Sequence, residues 1–283
     1  MEFSLVIPVY HSAKNAIKHL PVVHSALQGK YKDFEVIFVI DNAIITDDVK
    51  PLFELEKEYS NIKINQLQKN YGQHFATLCG FYLAKGDHIM SVDEDMTQYA
   101  IEICNTDEYE KFDVFYFHYD KDSMYNSDTR KVLSNVYKSI IQRVVNLKRN
   151  STFRVITKPL RDKIFKHKHI FWNIDVMIFN NTASIGSIDV LHCDITDHNS
   201  AYNYKKLFQV AFEIGYEHNT IFMNLLFASV PAIIYNLHYH DSMRRNVVFV
   251  FFAVLITGFF KALKKFSATT ENKVLRALNK KQI

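Results

Sequence analysis

Cysteine is scarce. Cys79, Cys104 and Cys193 are far apart and odd in number, which argues against a disulfide framework and leaves no zinc-ligand spacing. A reducing, cytoplasm-facing compartment is the simplest setting for such a chain. The opening MEFSLVIPVYHS has no basic stretch ahead of an apolar one, so it reads as a strand and not as a secretion signal. Internal repeats and low-complexity tracts are also missing. With 48% hydrophobic and 23% charged residues, general disorder is excluded. The 283 residues suffice for one sizeable domain with an appendage.

Positive charge is lacking over most of the chain. From Lys261 onward seven Lys and Arg face one Glu, a net +6 against the whole chain's +4, which leaves residues 1–260 at about −2. A nucleic-acid binder spreads its cations over a folded face; a basic run directly after apolar segments suits an anionic membrane surface instead. Two such segments precede it, at 219–237 and 246–260. A spanning helix needs roughly 20 apolar residues, with about 17 as the lower end. The first meets this, and the second does so if Lys261 snorkels. The turn between them is short, so the pair reads as a hairpin. Lys205 and Lys206 on one side and Lys261, Lys264 and Lys265 on the other outnumber Arg244 and Arg245 in the turn, which puts both ends in the cytoplasm.

The first half alternates short apolar runs with longer amphipathic ones, the pattern of βαβ units in a largely parallel sheet. Strands are expected at 3–10, 34–41, 62–67, 88–93 and 113–119, with helices near 13–28, 47–59 and 73–85. The stretch 129–148 is amphipathic and basic, and 202–218 reads as an amphipathic helix. Ligands of such sheets gather outside the carboxyl ends of the strands. Asp41 and the triplet Asp93, Glu94 and Asp95 sit at such ends. Two carboxylates one residue apart at a strand end suit a shared Mg²⁺ or Mn²⁺ that also takes substrate phosphates.

The run NYGQHFATLCGFYLAKGDHIMSVDEDMTQ, residues 70–98, resembles the central signature of family 2 glycosyltransferases, and most of all the polyprenol-phosphate branch that includes dolichol-phosphate mannose synthase. SLVIPVY is similar to that family's first strand and FEVIFVIDNA to its second. STFRVITK (151–158) is similar to its SSFR segment, and SAYNYKKL (200–207) to the S-x-Y that leads into its membrane helices. The resemblance implies a GT-A type α/β catalytic domain with a mostly parallel sheet over 1–201, a juxtamembrane helix over 202–218, a two-helix membrane hairpin over 219–263, and a basic cytoplasmic tail over 264–283. It implies an inverting transfer from a nucleotide-sugar donor to a polyprenyl phosphate at the cytoplasmic membrane face, with Mg²⁺ or Mn²⁺ as cofactor. Membrane lipid is a further partner, nucleic acid is not, and self-association is left open.

By the same resemblance Asp93 and Asp95 hold the metal, and Pro8, Tyr10, Asp41, Asn70, Asp93 and Glu94 line the donor side, with Asp41 meeting the base. Lys121, Arg130, Arg154, Ser200 and Tyr202 receive the acceptor phosphate, Arg154 counting with the two aspartates as catalytic. The chain departs from the family at three places. YHS (Tyr10, His11, Ser12) replaces YNE, Thr97 stands where a Gln is usual with Gln98 one step later, and the Arg and Gly expected over 194–199 are absent, His198 being the nearest substitute. A saccharide hydroxyl acceptor is the alternative, needing a carboxylate base such as Asp175; a catalytically degenerate membrane scaffold is another. Several residues read more simply as structural: Trp172 as core, Asp175 as helix surface, Gly80 as close packing, Gly86 as a helix stop. His74 fits capping or a donor contact equally. His167, His169, His238 and His240 read as surface or interfacial.

Overall fold

A computed structural model describes residues 1–10, 12–119, 151–167, 173–190, 254–255 and 269–278. The chain forms β1 (Phe3–Val9), α1 (Lys14–Lys30), β2 (Phe34–Ile40), α2 (Leu52–Glu58), β3 (Ile62–Gln66), α3 (Gln73–Leu83) and β4 (His88–Ser91). Two 3-10 segments, Glu94–Asn105 and Glu108–Lys111, lead to β5 (Val114–Tyr119). Further on come β6 (Arg154–Thr157), α4 (Lys158–Lys166), α5 (Ile174–Phe179), β7 (Ile185–Val190) and α6 (Thr270–Ala277).

The strands make one seven-stranded sheet in the order β3-β2-β1-β4-β6-β5-β7. Every pairing is parallel except those of β6, which runs antiparallel to β4 and β5. β1 and β2 are buried at every position, which explains why they are near-continuous apolar runs: a central parallel strand is covered on both faces. Leu5, Ile7 and Val9 pack with Ala16, Leu20, Val23 and Leu27 of α1 on one face, while Val6 packs with Phe75, Leu78 and Cys79 of α3 on the other. The result is an α/β/α sandwich, as the alternation of elements predicts.

Close approach explains two glycines. A Cβ on Gly80 would stand 2.2 Å from Val6 Cγ1, so α3 lies directly on β1. α3 already ends at Leu83, before Gly86. A Cβ on Gly86 would meet the Phe3 and Ser4 backbone at 2.6 Å, so this glycine serves close packing and not the helix stop expected of it. The helix expected at 47–59 begins only at Leu52, because Pro51 disfavours helical geometry in the residue before it.

Glu35, fully buried on β2, was not singled out by the sequence reading. Its carboxylate accepts from Ser4 Oγ at 2.9 Å and Lys85 N at 2.7 Å and pairs with Lys63 Nζ. Strands β1, β2 and β3 and the α3–β4 loop are thereby tied at the edge of the sheet opposite the acidic triplet.

The C-terminal stretch expected as a solvated tail contains α6, which docks on the body. Val274 and Ala277 bury against the α3 side of the sheet, Thr270 donates to the His167 carbonyl at 2.9 Å, and Gln68 donates to the Arg276 carbonyl at 3.1 Å. The apolar residues Val274, Ala277 and Leu278 share one helix face by their spacing. Among the described residues no helix is long and apolar enough to cross a membrane. The two expected spans lie outside those residues except for Val254 and Leu255, which are helical and exposed.

Candidate active site

The sheet order puts β2 on one side of β1 and β4 on the other, so the chain's direction of progress reverses there. At such a switch point the carboxyl ends of the strands open a crevice. Pairing of β1 with β4 stops at Val6↔Ser91, while pairing of β1 with β2 continues to Val9↔Ile40. Pro8, buried on β1, lies beyond the reach of β4, so its missing N–H costs the ladder nothing.

The acidic triplet leaves β4 into this gap. Val92 N still donates to the Val6 carbonyl at 3.2 Å, and Asp93 is extended (φ −70°, ψ 153°) before the 3-10 segment begins. The three carboxylates diverge. Glu94 accepts the Tyr10 backbone N–H at 2.9 Å, Asp93 Oδ1 accepts Gln73 Nε2 from the first turn of α3 at 2.5 Å, and Asp95 is exposed. Burial pushes the Glu94 carboxyl up to about 7; the Tyr10 amide opposes this, and the neighbouring Asp95 and Asp93 charges add to it. The triplet's backbone is held too. Asn15 of α1 donates to the Glu94 carbonyl at 3.2 Å and to Gln98 Oε1 at 2.8 Å, and Thr97 Oγ1 donates to the Glu94 carbonyl at 3.0 Å. Gln98, one step from its usual position, thus faces α1.

This donor set suits a hard dication. It offers carboxylate oxygens, those of Glu94 and Asp93 already accepting from Tyr10 and Gln73. Among the described residues no three His, Cys, Asp or Glu side chains form a ready-made cage.

Asp41 and Asn70 hold the turn ahead of α3. Asp41 is 3% exposed and spends one oxygen on the Tyr71 N–H at 2.7 Å and the other on the Gly72 N–H at 2.8 Å. Asn70 Oδ1 accepts the same Gly72 N–H at 2.9 Å. Gly72 has φ 94°, a left-handed conformation that favours glycine. Together they fix the turn that launches α3 and so aim Gln73 at Asp93. The cause lies in the loop after β3, which brings two backbone donors to Asp41 at the end of β2. Tyr10 contributes its amide to the site, and its ring is 39% exposed. Ser12 Oγ accepts the Lys14 N–H at 3.4 Å, starting α1. His74 is half-buried on the first turn of α3.

Arg154 lies in the interior. It is 2% exposed, its Nη1 lies 2.9 Å from Asp175 Oδ1, and its guanidinium sits over the Tyr116 ring at 5.9 Å from the centroid. Tyr116 Oη donates to the same Asp175 oxygen at 3.0 Å. Asp175, expected on a helix surface, is 3% exposed, because α5 lies against the sheet on the same face as α3. Arg154 forms a buried ion pair because β6 is an interior strand with a helical layer over it. Lys121, Arg130, Ser200, Tyr202, His11, Trp172, His169, His198, His238 and His240 lie outside the described residues.

Several known proteins are similar to this chain. The sequence model of "Glycosyl transferase family 2" matches residues 4–146. An undecaprenyl-phosphate 4-deoxy-4-formamido-L-arabinose transferase of Pseudomonas fluorescens is 30% identical over 102 residues, 35% of this chain and 30% of that protein. The enzyme of the same name from Salmonella choleraesuis is 25% identical over 275 residues, 90% of this chain and 82% of that protein. The match to the Pseudomonas protein thus spans under a third of its length. Among solved structures, glucosyl-3-phosphoglycerate synthase from Mycobacterium tuberculosis, in complex with Mn²⁺, UDP and phosphoglyceric acid, superposes with a TM-score of 0.54 at 12% identity, covering 77% of this chain and 78% of that one. This likeness is one of fold.

Proposed function

The chain belongs to glycosyl transferase family 2, and on that premise we propose that it moves a sugar from a nucleotide-sugar donor to a polyprenyl phosphate at the cytoplasmic face of a membrane. The observation that carries this reading is the meeting of Asp93, Asp95 and the Glu94–Tyr10 bond at the switch point of the sheet, where a nucleoside diphosphate is bound in folds of this kind. The relatives named above act on undecaprenyl phosphate, which supports the acceptor class.

Asp93 and Asp95 would hold Mg²⁺ or Mn²⁺, which when bound neutralises the charge that grows on the departing diphosphate. Gln73 holds the Asp93 carboxylate in one orientation, and the Tyr10 amide keeps Glu94 turned aside. A phosphate oxygen of the acceptor attacks the anomeric carbon as the bond to the donor's diphosphate breaks. The electron pair leaves with the diphosphate, and the configuration inverts. An acceptor phosphate is already ionised near neutral pH, so no strong base is needed. A hydroxyl acceptor would need one, and the carboxylate of Asp175 is committed to Arg154 and Tyr116; this favours the phosphate. The acceptor's charge calls for cations, and Arg154, Lys121 and Arg130 with Ser200 and Tyr202 are assigned to it. Guanidinium pairs with phosphate through parallel hydrogen bonds.

Docking of α6 supports the membrane hairpin. The chain that leaves after β7 returns to the same body at α6, so an excursion through a bilayer over 219–260 would cross an even number of times. The test is transfer of radiolabelled sugar by detergent-solubilised protein to undecaprenyl phosphate. A chloroform-soluble, mild-acid-labile product is expected; label appearing only in a water-soluble saccharide would refute the acceptor assignment.

A further inference from the structure

We propose that Asp175 and Tyr116 are positioning residues that hold the Arg154 guanidinium ready for the acceptor phosphate. This rests on the reading above that Arg154 receives that phosphate. Arg154 opens β6, opposite Ser91 on one neighbouring strand and Tyr116 on the other. Because β6 is antiparallel to β4, its first residue stands at the carboxyl edge of β4, two residues short of Asp93. Arg154 therefore starts its strand at the end of the sheet where the acidic triplet emerges.

What surrounds it holds it without saturating it. The Asp175 Oδ1 atom is 2.9 Å from Nη1 and also accepts the Tyr116 hydroxyl. The Tyr116 ring is itself fixed, near-parallel to Phe179 at 6.2 Å and 14° and to His118 at 6.1 Å and 10°. Yet among the described residues Arg154 Nε and Nη1 are buried with no hydrogen-bond acceptor, the angle at Nη1 falling outside a hydrogen bond. A brace built only for stability satisfies a buried guanidinium through its five donors, because an unmade hydrogen bond in the interior is costly. Here one shared carboxylate oxygen supplies charge and the ring supplies a platform, while two donor nitrogens are left over. A phosphate oxygen would complete them. Asp175 supplies the countercharge that keeps Arg154 in place between turnovers, and Tyr116 keeps Asp175 aimed.

The experiment is steady-state transfer by the full-length, detergent-solubilised protein, varying undecaprenyl phosphate and nucleotide-sugar separately. The variants are Asp175→Asn, Tyr116→Phe, Arg154→Gln and the double variant Arg154→Gln/Asp175→Asn. Asp175→Asn is expected to raise the acceptor KM about tenfold and leave the donor KM within about twofold, because an interaction with one substrate is weakened. Tyr116→Phe, which keeps the ring, should move the acceptor KM about threefold in the same direction. In the Arg154→Gln background Asp175→Asn should add nothing to the acceptor KM, since it acts through the arginine. A merely structural role would lower Tm and spare the ratio of acceptor to donor KM, which would overturn the inference. An acceptor KM raised by Arg154→Gln but unmoved by Asp175→Asn and Tyr116→Phe would overturn the positioning role and leave the acceptor reading standing. An acceptor KM unmoved by Arg154→Gln would overturn both.

Discussion

The Glu94 carboxylate accepts the Tyr10 backbone N–H at 2.9 Å, across 84 residues of sequence. This bond joins the end of β1 to the acidic triplet after β4. It also engages one of three consecutive carboxylates.

A pH dependence follows. Because the Glu94 carboxyl is pushed up to about 7, the folded state holds a proton that the unfolded chain has already released. Stability is then greatest below the ordinary carboxyl range and is lost as pH rises through about 7. In chelator-treated protein the loss from about pH 4 to about pH 8 should reach at most roughly 3 kcal/mol. Urea denaturation of wild type and Glu94→Gln across that range checks it: the variant should lack this part of the slope, and parallel curves would count against the buried carboxyl.

Gln73 reaches Asp93 from an exposed position on α3. Gln73→Ala should leave Tm within about 1 °C, because exposed substitutions rarely change stability by more than ~0.5 kcal/mol. It should lower kcat about tenfold, because one freed carboxylate misplaces the charge that meets the diphosphate. Paired thermal melts and single-turnover rates separate the two effects; an unchanged rate would remove Gln73 from the site.

Gly86 packs against backbone, so a methyl there has nowhere to go. Gly86→Ala should cost about 1–3 kcal/mol through overpacking. The readout is the urea midpoint at constant slope. A neutral substitution would mean that the α3–β4 loop stands further from β1 than described.

Much of this architecture was legible in the chain itself. FSLVIPV and FEVIFVI are unbroken apolar runs because β1 and β2 are covered on both faces, and their burial is complete. The acidic triplet was found because it interrupts the apolar run of β4. What escaped were pairings between distant segments. Arg154 and Asp175 meet because α5 folds back over β5 and β6, and no local spacing announces that; read alone, Asp175 sits in a short helix that looks like surface. Asp41 likewise reads as a strand-end carboxylate, and its bonds to the Tyr71 and Gly72 amides come from a loop that local spacing does not announce. Glu35 was hidden because a charge within an apolar strand is ordinarily unfavourable, and its partners Ser4, Lys63 and Lys85 lie on other elements. The docking of α6 depends on just three apolar positions in a basic stretch.

The assignment of Asp93 and Asp95 is tested most directly by sugar transfer to undecaprenyl phosphate during a Mn²⁺ titration of chelator-treated protein, comparing wild type with Asp95→Asn. Activity should be absent without the ion, return in wild type as Mn²⁺ is added, and stay at least about a hundredfold lower in the folded variant at every concentration, the scale on which single groups that stabilise transition-state charge are felt. Turnover by Asp95→Asn at the wild-type rate with the same Mn²⁺ dependence would contradict it.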